Sequence, residues 1–383
     1  MPLALEGGKP AIPSPLKPYS SIGVEELRAA ERVLKTGPLS GFLGGERHGG
    51  LNVQALEQRM CEEFGAKYAV AVNSATSGLL VACMATGVGP DTQVVVPALT
   101  MSASAAAPAF LGAQIEFGDV WDKTFTLMES RGKPHTFITT NLFGHPAHLK
   151  NSRYVAHATK SFMIEDNAQG WYAREGDKYA GTVGHIGVYS FNVHKHIHCG
   201  EGGICLTSDE MLADSMRLAR NHGELAGAAV GLNLRMTELE AAIALAQLDK
   251  AKKLVKRAQH VAEELTTEIA NYDGLVPPLV REDCDHSFYI WALTVAEDRE
   301  WFVKAMQAED FPIKAGYVDP LYRLPAFQKY KSRCPNAEWL HDVALCTYEN
   351  CAYDPSATQL RQMKDAINKV GEAYVKRQST AAA

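Results

Sequence analysis

Short apolar runs alternate with more polar segments through the first half of the chain. Seven of these runs are predicted to be strands, at residues 68–72, 93–97, 114–117, 136–140, 162–164, 186–189 and 204–206. Apolar residues are nearly continuous within the runs, which is typical of parallel strands covered by helices on both faces. The pattern therefore predicts an α/β fold with a mostly parallel, seven-stranded sheet.

A long helix is predicted where this alternation stops, after Gly231. Thr237 and Glu240 have the spacing of a capping box, in which two side chains satisfy free backbone N–H groups at a helix start. Apolar residues then recur at roughly helical intervals as far as Leu265. This helix is expected to lead out of a first, large domain.

Two domains are expected from the change in pattern. The large domain is assigned to residues 15–248 and a small C-terminal domain to residues 249–375, with residues 1–14 packing on the small one. The second part has a strand-like run at 288–293 and several breaks rich in proline and glycine. Such a mixture is typical of a small α+β domain.

Composition and charge describe a globular chain. Of its 383 residues, 46% are hydrophobic and 21% are charged, which is ordinary for a folded protein. A net charge of −6 gives no support to nucleic-acid binding, and no apolar run approaches the length that spans a bilayer. The eight cysteines form no CxxC pair and no signal peptide is recognised, so free thiols in the cytoplasm are expected.

Lys195 is the main candidate for chemistry. It lies between a strand-like run that ends at Ser190 and a glycine-rich turn at residues 200–203. A lysine that is partly shielded from water and close to cationic groups has a lowered pKa and can act as a nucleophile. Because most lysines are solvated, this interpretation depends on what else the chain brings near it.

Three histidines alternate around this lysine, at positions 194, 196 and 198. On an extended segment they would share one face and could bind a transition metal. Apart from Cys199 and Glu201, no cysteine or carboxylate cluster accompanies them, so we favour a site without a metal.

A carboxylate and a small-residue turn supply two further parts of a site. Asp166 follows the predicted strand at 162–164, and ligands of open α/β sheets bind at such strand ends. The turn at 73–77 leads from a strand into a predicted helix, whose first N–H groups can bind a phosphate. Either feature alone is also explained as helix capping. Together with Lys195 they meet the needs of pyridoxal phosphate (PLP), which requires a lysine, a carboxylate at its ring nitrogen and a phosphate cradle.

The chain resembles the DegT/DnrJ/EryC1/StrS family of PLP-dependent sugar aminotransferases. Ordered blocks across most of the chain carry the resemblance: GGKP at 7–10, GPLSG at 37–41, NSATS at 73–77, VVVPALT at 94–100, LFGHP at 142–146, EDNAQ at 165–169, the lysine segment at 190–203, and GLNLRMTE at 231–238. The resemblance implies the aspartate aminotransferase-like fold, which is fold type I of the PLP enzymes.

The same resemblance implies roles for individual residues. Lys195 would bind the cofactor aldehyde and later shuttle a proton, Asp166 would hold the pyridine nitrogen, and Gln169 would lie by the phenolic oxygen. The phosphate would be held by Ser190 and by the backbone at Ala75 and Thr76.

One implied contact crosses between subunits. In the family, the residue matching Asn233 reaches the phosphate of the neighbouring subunit, so the active sites would be shared within a homodimer. A solvated loop residue is an equally open interpretation of Asn233.

Two positions depart from the family pattern. Ala75 stands where relatives often have glycine, which is acceptable if this residue needs no positive φ. Met101 stands where relatives usually place an aromatic ring against the cofactor face. A thioether can lie on such a ring, and Met101 can equally belong to the core.

Because position 195 is lysine and not histidine, the resemblance favours amino transfer over sugar dehydration. The expected reaction moves an amino group from an amino acid, with glutamate as the expected donor, to a nucleotide-linked 4-keto-6-deoxy hexose. Tyr317 and Tyr322 lie where relatives place substrate contacts and are candidate sugar contacts, and ordinary packing is an equally open interpretation of both. A keto-cyclitol acceptor and a non-catalytic PLP-binding sensor stay open as alternatives.

Overall fold

The computed structural model describes residues 2–42, 47–128, 132–223 and 230–381. A seven-stranded sheet lies at its centre, in the strand order β1-β9-β8-β5-β4-β2-β3. These strands are β1 (Tyr68–Val72), β2 (Gln93–Pro97), β3 (Gln114–Gly118), β4 (Thr136–Thr140), β5 (Phe162–Asp166), β8 (Ile186–Ser190) and β9 (Gly203–Thr207). Strand β9 is antiparallel to both of its neighbours, and the other pairings are parallel. The predicted sheet is confirmed, and its predicted strand ends differ from the observed ones by at most two residues.

Helices cover both faces of this sheet. They are α1 (Val24–Thr36), α2 (Leu51–Phe64), α3 (Ala75–Ala85), α4 (Ala103–Phe110), α5 (Leu149–Thr159), α6 (Glu210–Arg220) and the N-terminal half of α7 (Glu238–Ile269). In β1, Val70 and Val72 pack into one apolar cluster with Leu79 of α3, whereas Ala69 and Ala71 pack into another with Leu56 of α2. Because both faces are covered, consecutive residues of a strand all have apolar partners, on alternate faces, which explains the continuous apolar runs.

Helix α7 begins with the predicted capping box. The Thr237 hydroxyl accepts a hydrogen bond from the Glu240 N–H at 3.3 Å, and the Glu240 carboxylate accepts one from the Thr237 N–H at 3.0 Å. The helix runs without a break across the predicted boundary between residues 248 and 249. The division into two domains stays a prediction.

A second, antiparallel sheet follows α7. Its order is β10-β12-β14-β13, formed by β10 (Leu275–Val276), β12 (Trp291–Val295), β13 (Ile313–Ala315) and β14 (Leu345–Tyr348). Around it lie α8 (Arg299–Ala308), α9 (Pro335–Trp339) and α10 (Ala357–Ala381). The strand predicted at 288–293 is observed further along, at β12, because Phe288 has a φ of 50° that an extended strand cannot accommodate.

The N-terminal segment packs against this second part of the chain. Leu3 and Ile12 are buried in one cluster with Leu265 and Phe302. The Glu309 carboxylate accepts hydrogen bonds from the backbone of Ala4 and Ala11, each at 2.8 Å.

A small third sheet joins β6 (Arg174–Glu175), β7 (Lys178–Tyr179) and β11 (Cys284–Asp285). Within the described ranges, none of the helices combines the length and apolar character needed to cross a membrane.

Candidate active site

A cavity of about 330 Å³ lies at the carboxyl ends of several parallel strands. All of the residues predicted to be catalytic or to bind the cofactor, except Asn233, line it: Ala75, Thr76, Met101, Asp166, Gln169, Ser190 and Lys195. Ala75 and Thr76 follow β1, Asp166 ends β5, and Ser190 ends β8. Parallel strands bring these separate segments together because their carboxyl ends meet at one edge of the sheet.

Lys195 is partly buried in a turn that begins after β8. Burial lowers the pKa of its ammonium group to about 8, against the opposing influence of the Asp166 carboxylate. Its Nζ lies 4.5 Å from the ring centroid of Tyr289, which also lines the cavity. A lysine with this pKa has a substantial neutral fraction near physiological pH, as a nucleophile or general base requires.

Asp166 is buried, with 4% of its surface exposed. Its two described hydrogen-bond partners are neutral donors, the Ser104 hydroxyl at 2.6 Å and the Ala168 N–H at 3.2 Å. Burial raises the pKa of this carboxyl group, while the hydrogen bond from Ser104 opposes that shift. A buried carboxylate held only by neutral donors suits a protonated ring nitrogen as a partner.

Gln169 is fixed at the cavity wall by both ends of its amide. Its Oε1 accepts a hydrogen bond from the Phe143 N–H at 2.7 Å, and its Nε2 donates to the Tyr317 hydroxyl at 3.0 Å. Phe143 has a φ of 60°, an unusual value for a bulky residue. The block at 142–146 therefore helps to position Gln169, through the hydrogen bond from the Phe143 N–H to its Oε1. His145 in the same block is buried against His286 and is not among the residues that line the cavity.

The turn at the start of α3 has the form of an anion site. Ser74 is the N-cap, and its hydroxyl accepts a hydrogen bond from the Ser77 N–H at 3.1 Å, which leaves the N–H groups of Ala75 and Thr76 at the helix end. Ala75 begins the helix and has no positive φ, so alanine is compatible with this position. A Cβ on Gly203 would lie 2.5 Å from the carbonyl carbon of Ser74, so glycine is needed for β9 to approach this turn. These donors fit a phosphate group, and with Lys195 and Asp166 the residues present fit PLP.

Met101 and Asn233 have different positions relative to the cavity. Met101 lines it and has 51% of its surface exposed in the single chain, so it is not a core residue here. Asn233 is exposed, and its Oδ1 accepts a hydrogen bond from Arg235 Nε at 3.0 Å. The expected contact of Asn233 with a neighbouring subunit stays a prediction.

The segment with three histidines turns instead of extending, so the imidazoles do not share a face. His194 is exposed at the cavity, whereas His196 is buried with its Nε2 2.9 Å from the Ser287 carbonyl oxygen. Burial lowers the pKa of His196 to about 4.

In the described part of the chain, the group with closely spaced metal-ligand atoms is elsewhere, at Glu175, Asp283 and Cys284. Its two carboxylates are already paired, Glu175 with Arg281 at 2.7 Å and Asp283 with Lys150 at 3.1 Å.

Sequence reasoning missed three residues that build this site. Ser104 contacts Asp166, Tyr289 lies against Lys195, and Phe143 holds Gln169. Of the two candidate sugar contacts, Tyr317 lines the cavity, whereas the Tyr322 hydroxyl donates to Glu338 away from it. No local pattern distinguishes Ser104 or Tyr289 from ordinary packing residues, because their partners are 62 and 94 positions distant.

The seven-stranded sheet with its single antiparallel strand, followed by a smaller sheet, is the aspartate aminotransferase-like architecture of fold-type I PLP enzymes. A solved structure of DesV from S. venezuelae in complex with a ketimine intermediate has this fold; it superposes with a TM-score of 0.85 at 24% identity and covers 94% of this chain and 99% of DesV. The chain belongs to the DegT/DnrJ/EryC1/StrS aminotransferase family, whose model matches residues 21–351. It is therefore an aminotransferase.

Two curated relatives match most of the chain. The spore coat polysaccharide biosynthesis protein SpsC of Bacillus subtilis is 30% identical over 384 residues, covering 91% of this chain and 97% of SpsC. The UDP-2-acetamido-2-deoxy-3-oxo-D-glucuronate aminotransferase of Pseudomonas aeruginosa is 30% identical over 303 residues, covering 76% of this chain and 84% of that enzyme. The resemblance seen in the sequence is confirmed at the level of the family.

Proposed function

We propose that this protein is a PLP-dependent aminotransferase that moves an amino group from glutamate to a nucleotide-linked 4-keto-6-deoxy hexose. The observation that carries the proposal is the convergence of Lys195, Asp166 and Gln169 on one cavity, beside the first turn of α3. Each of these groups has the charge or hydrogen-bonding capacity that one part of PLP requires.

PLP supplies an electron sink that stabilises negative charge at the substrate carbon. Asp166 would hold the ring nitrogen, the N–H groups of Ala75 and Thr76 with the Ser190 hydroxyl would hold the phosphate, and Gln169 would lie near the phenolic oxygen. In each half-reaction Lys195 Nζ would take a proton from one carbon, as a general base, and return it to the other, as a general acid; the two carbons are the substrate carbon and the cofactor carbon. A pKa of about 8 is well matched to both roles.

The cavity lining favours an uncharged sugar at the acceptor position. The described residues that line it include one lysine and one histidine but no arginine, together with the carboxylates of Asp166 and Glu201. Among the described residues of this one chain that line the cavity, a sugar carboxylate would meet no arginine, whereas hydroxyl groups can bond to Glu201, Asn192 and the Tyr317 hydroxyl. The relative from Pseudomonas aeruginosa is named for a 3-oxo glucuronate linked to UDP, so it supports an oxo nucleotide sugar as the acceptor but supports neither the 4-keto position nor an uncharged sugar.

We further propose a homodimer with shared sites, located in the cytoplasm. Leu27 and Leu34 of α1 are 68% and 60% exposed in the single chain, which suits a face covered by a second copy. All eight cysteines are free thiols, as in proteins of reducing compartments.

Amino transfer is tested by adding glutamate to the PLP-loaded protein and measuring both the cofactor absorbance and the release of 2-oxoglutarate. A change in absorbance with stoichiometric 2-oxoglutarate is expected. An unchanged spectrum without 2-oxoglutarate, for glutamate and for a panel of other amino acids, would leave a PLP-binding sensor as the function.

The acceptor is tested with enzyme that has already taken an amino group from the donor. This enzyme is incubated with 4-keto-6-deoxy hexoses linked to different nucleotides, with 3-keto sugars and with keto-cyclitols. Mass spectrometry detects the aminated product. Preferential amination of a keto-cyclitol would overturn the sugar assignment while leaving the aminotransferase intact.

A further inference from the structure

Ser104 is a buried serine that bonds directly to the proposed cofactor-binding carboxylate. Its hydroxyl donates a hydrogen bond of 2.6 Å to Asp166 Oδ2, and none of its surface is exposed. Ser104 lies in the first turn of α4, whereas Asp166 ends β5. The bond therefore links two elements that reach the cavity from different positions in the chain.

The hydrogen bond from Ser104 helps to fix the orientation in which the Asp166 carboxylate faces a ligand. The Ala168 N–H occupies Oδ1 at 3.2 Å and the Ser104 hydroxyl occupies Oδ2, so both oxygens have a fixed donor. Thr100, which lines the cavity, has its hydroxyl oxygen 3.4 Å from that of Ser104 and 3.2 Å from that of Thr140. Ser104 therefore belongs to a chain of three buried hydroxyl groups and is the one that donates to the carboxylate, which helps to offset the cost of burying that charge.

We infer that Ser104 is a positioning residue, which keeps the Asp166 carboxylate ionised and oriented toward the protonated ring nitrogen of PLP. The inference rests on the proposed function, because it assigns Asp166 to that nitrogen. A hydroxyl can serve this purpose without competing for the ligand, because it donates to the carboxylate and carries no charge of its own.

The role inferred for Ser104 predicts the direction in which the pH dependence of PLP affinity changes when the hydroxyl is removed. Burial raises the pKa of Asp166 and the Ser104 hydrogen bond lowers it, so losing the hydroxyl raises the pKa further. The other titratable groups coupled to this carboxyl are the Lys195 ammonium, which also lowers its pKa, and the Tyr317 phenol, whose pKa is raised to about 12. PLP affinity falls as Asp166 becomes protonated at low pH, and without the Ser104 hydroxyl this fall should occur at a higher pH.

The test measures the dissociation constant of PLP for apoenzyme variants by absorbance titration across pH. Ser104→Ala should weaken binding about tenfold, as expected for the loss of a hydrogen bond to a charged group, and should move the low-pH fall upward. Ser104→Cys preserves the side-chain volume with a weaker donor and should behave similarly, whereas Ser104→Thr retains the hydroxyl and should restore affinity. Ser102→Ala is the matched control, because Ser102 is two residues earlier and makes no side-chain cap hydrogen bond.

A double-mutant cycle with Asp166→Asn separates positioning from a merely structural role. If Ser104 acts through Asp166, Ser104→Ala should have little further effect on PLP affinity in the Asp166→Asn background. Full additivity, or an unchanged affinity and pH profile in both Ser104→Ala and Ser104→Cys, would overturn the inference. If Asp166→Asn itself binds PLP as tightly as the unmodified protein, the role proposed for Asp166 fails instead.

Discussion

The ammonium nitrogen of Lys195 lies 4.5 Å from the ring centroid of Tyr289, which is two residues before strand β12 of the second sheet. The face of an aromatic ring attracts a cation and at the same time excludes water from one side of it. The ring shields one side of the ammonium group from water and so contributes to the burial that lowers the pKa of Lys195 to about 8, whereas its attraction for a cation acts in the opposite direction. The reactive group thus depends on residues from both parts of the chain.

The low pKa predicts the pH dependence of covalent PLP attachment to the apoenzyme. Only neutral lysine attacks an aldehyde, and with a pKa of about 8 the neutral fraction rises roughly tenfold between pH 7 and pH 9 and then levels off. Stopped-flow absorbance measures the attachment rate, with a free lysine derivative as the reference for changes in PLP itself. A rate that continues to rise steeply above pH 9 would indicate an ordinary lysine pKa.

Lys195→Ala should abolish covalent PLP attachment and reduce amino transfer by about 10²–10⁴-fold, as loss of a general acid–base group does. Mass spectrometry after borohydride reduction should locate the cofactor on the peptide with Lys195 in the unmodified protein. Lys178→Ala is the control, because Lys178 is an exposed lysine on β7. If the reduced cofactor is found on another lysine, the assignment of Lys195 is wrong.

Gly203→Ala should destabilise the protein by about 1–3 kcal/mol and weaken PLP binding, since the added methyl would overlap the Ser74–Ala75 backbone. Gly89→Ala is the matched control, because its Cβ would meet no atom within 4 Å and should change stability by less than about 0.5 kcal/mol. Urea unfolding measures the stability of both variants, and absorbance titration measures their affinity for PLP. Equal stabilities for the two variants would show that β9 can move away from the turn without cost.

The buried ion pair of Arg220 with Glu57 should be far more important for stability than an exposed pair. Arg220 Nη1 lies 2.6 Å from Glu57 Oε1, and the Arg220 side chain is fully buried. Glu57→Ala should cost about 3–5 kcal/mol, because it leaves the guanidinium buried without its counter-charge. Glu300→Ala, in the exposed pair with Lys304, should cost less than about 1 kcal/mol. Both are compared by urea unfolding at one protein concentration, and similar losses would contradict the argument.

A shared active site predicts complementation between two inactive variants. If Asn233 completes the site of the other subunit, a heterodimer of Lys195→Ala and Asn233→Ala contains one site with both residues intact. Random mixing after dissociation should then recover about a quarter of the unmodified activity. Each variant alone should stay inactive or strongly impaired. If activity is not recovered in a mixture shown by mass spectrometry to contain heterodimers, both residues belong to the same subunit's site. If Asn233→Ala alone is fully active, Asn233 is not part of the site.

The sequence by itself determined the central sheet and the positions of its main site residues. Its seven strands are continuous apolar runs, and this local pattern predicts burial on both faces. Lys195, Asp166 and the 75–76 turn each lie at or after the end of a strand. The capping box at Thr237 is equally local, because its two side chains are three residues apart. These features need only short-range information.

Tertiary structure alone decided what surrounds those residues. Ser104 reaches Asp166 and Tyr289 reaches Lys195 only because separate elements fold onto the same cavity, and no local pattern records such distant pairs. The three histidines show the same limit, since a turn in place of an extended segment separates His194 at the cavity from buried His196. Local periodicity follows from which face of an element is buried, whereas the environment of a functional group depends on contacts that form only when the whole chain is packed.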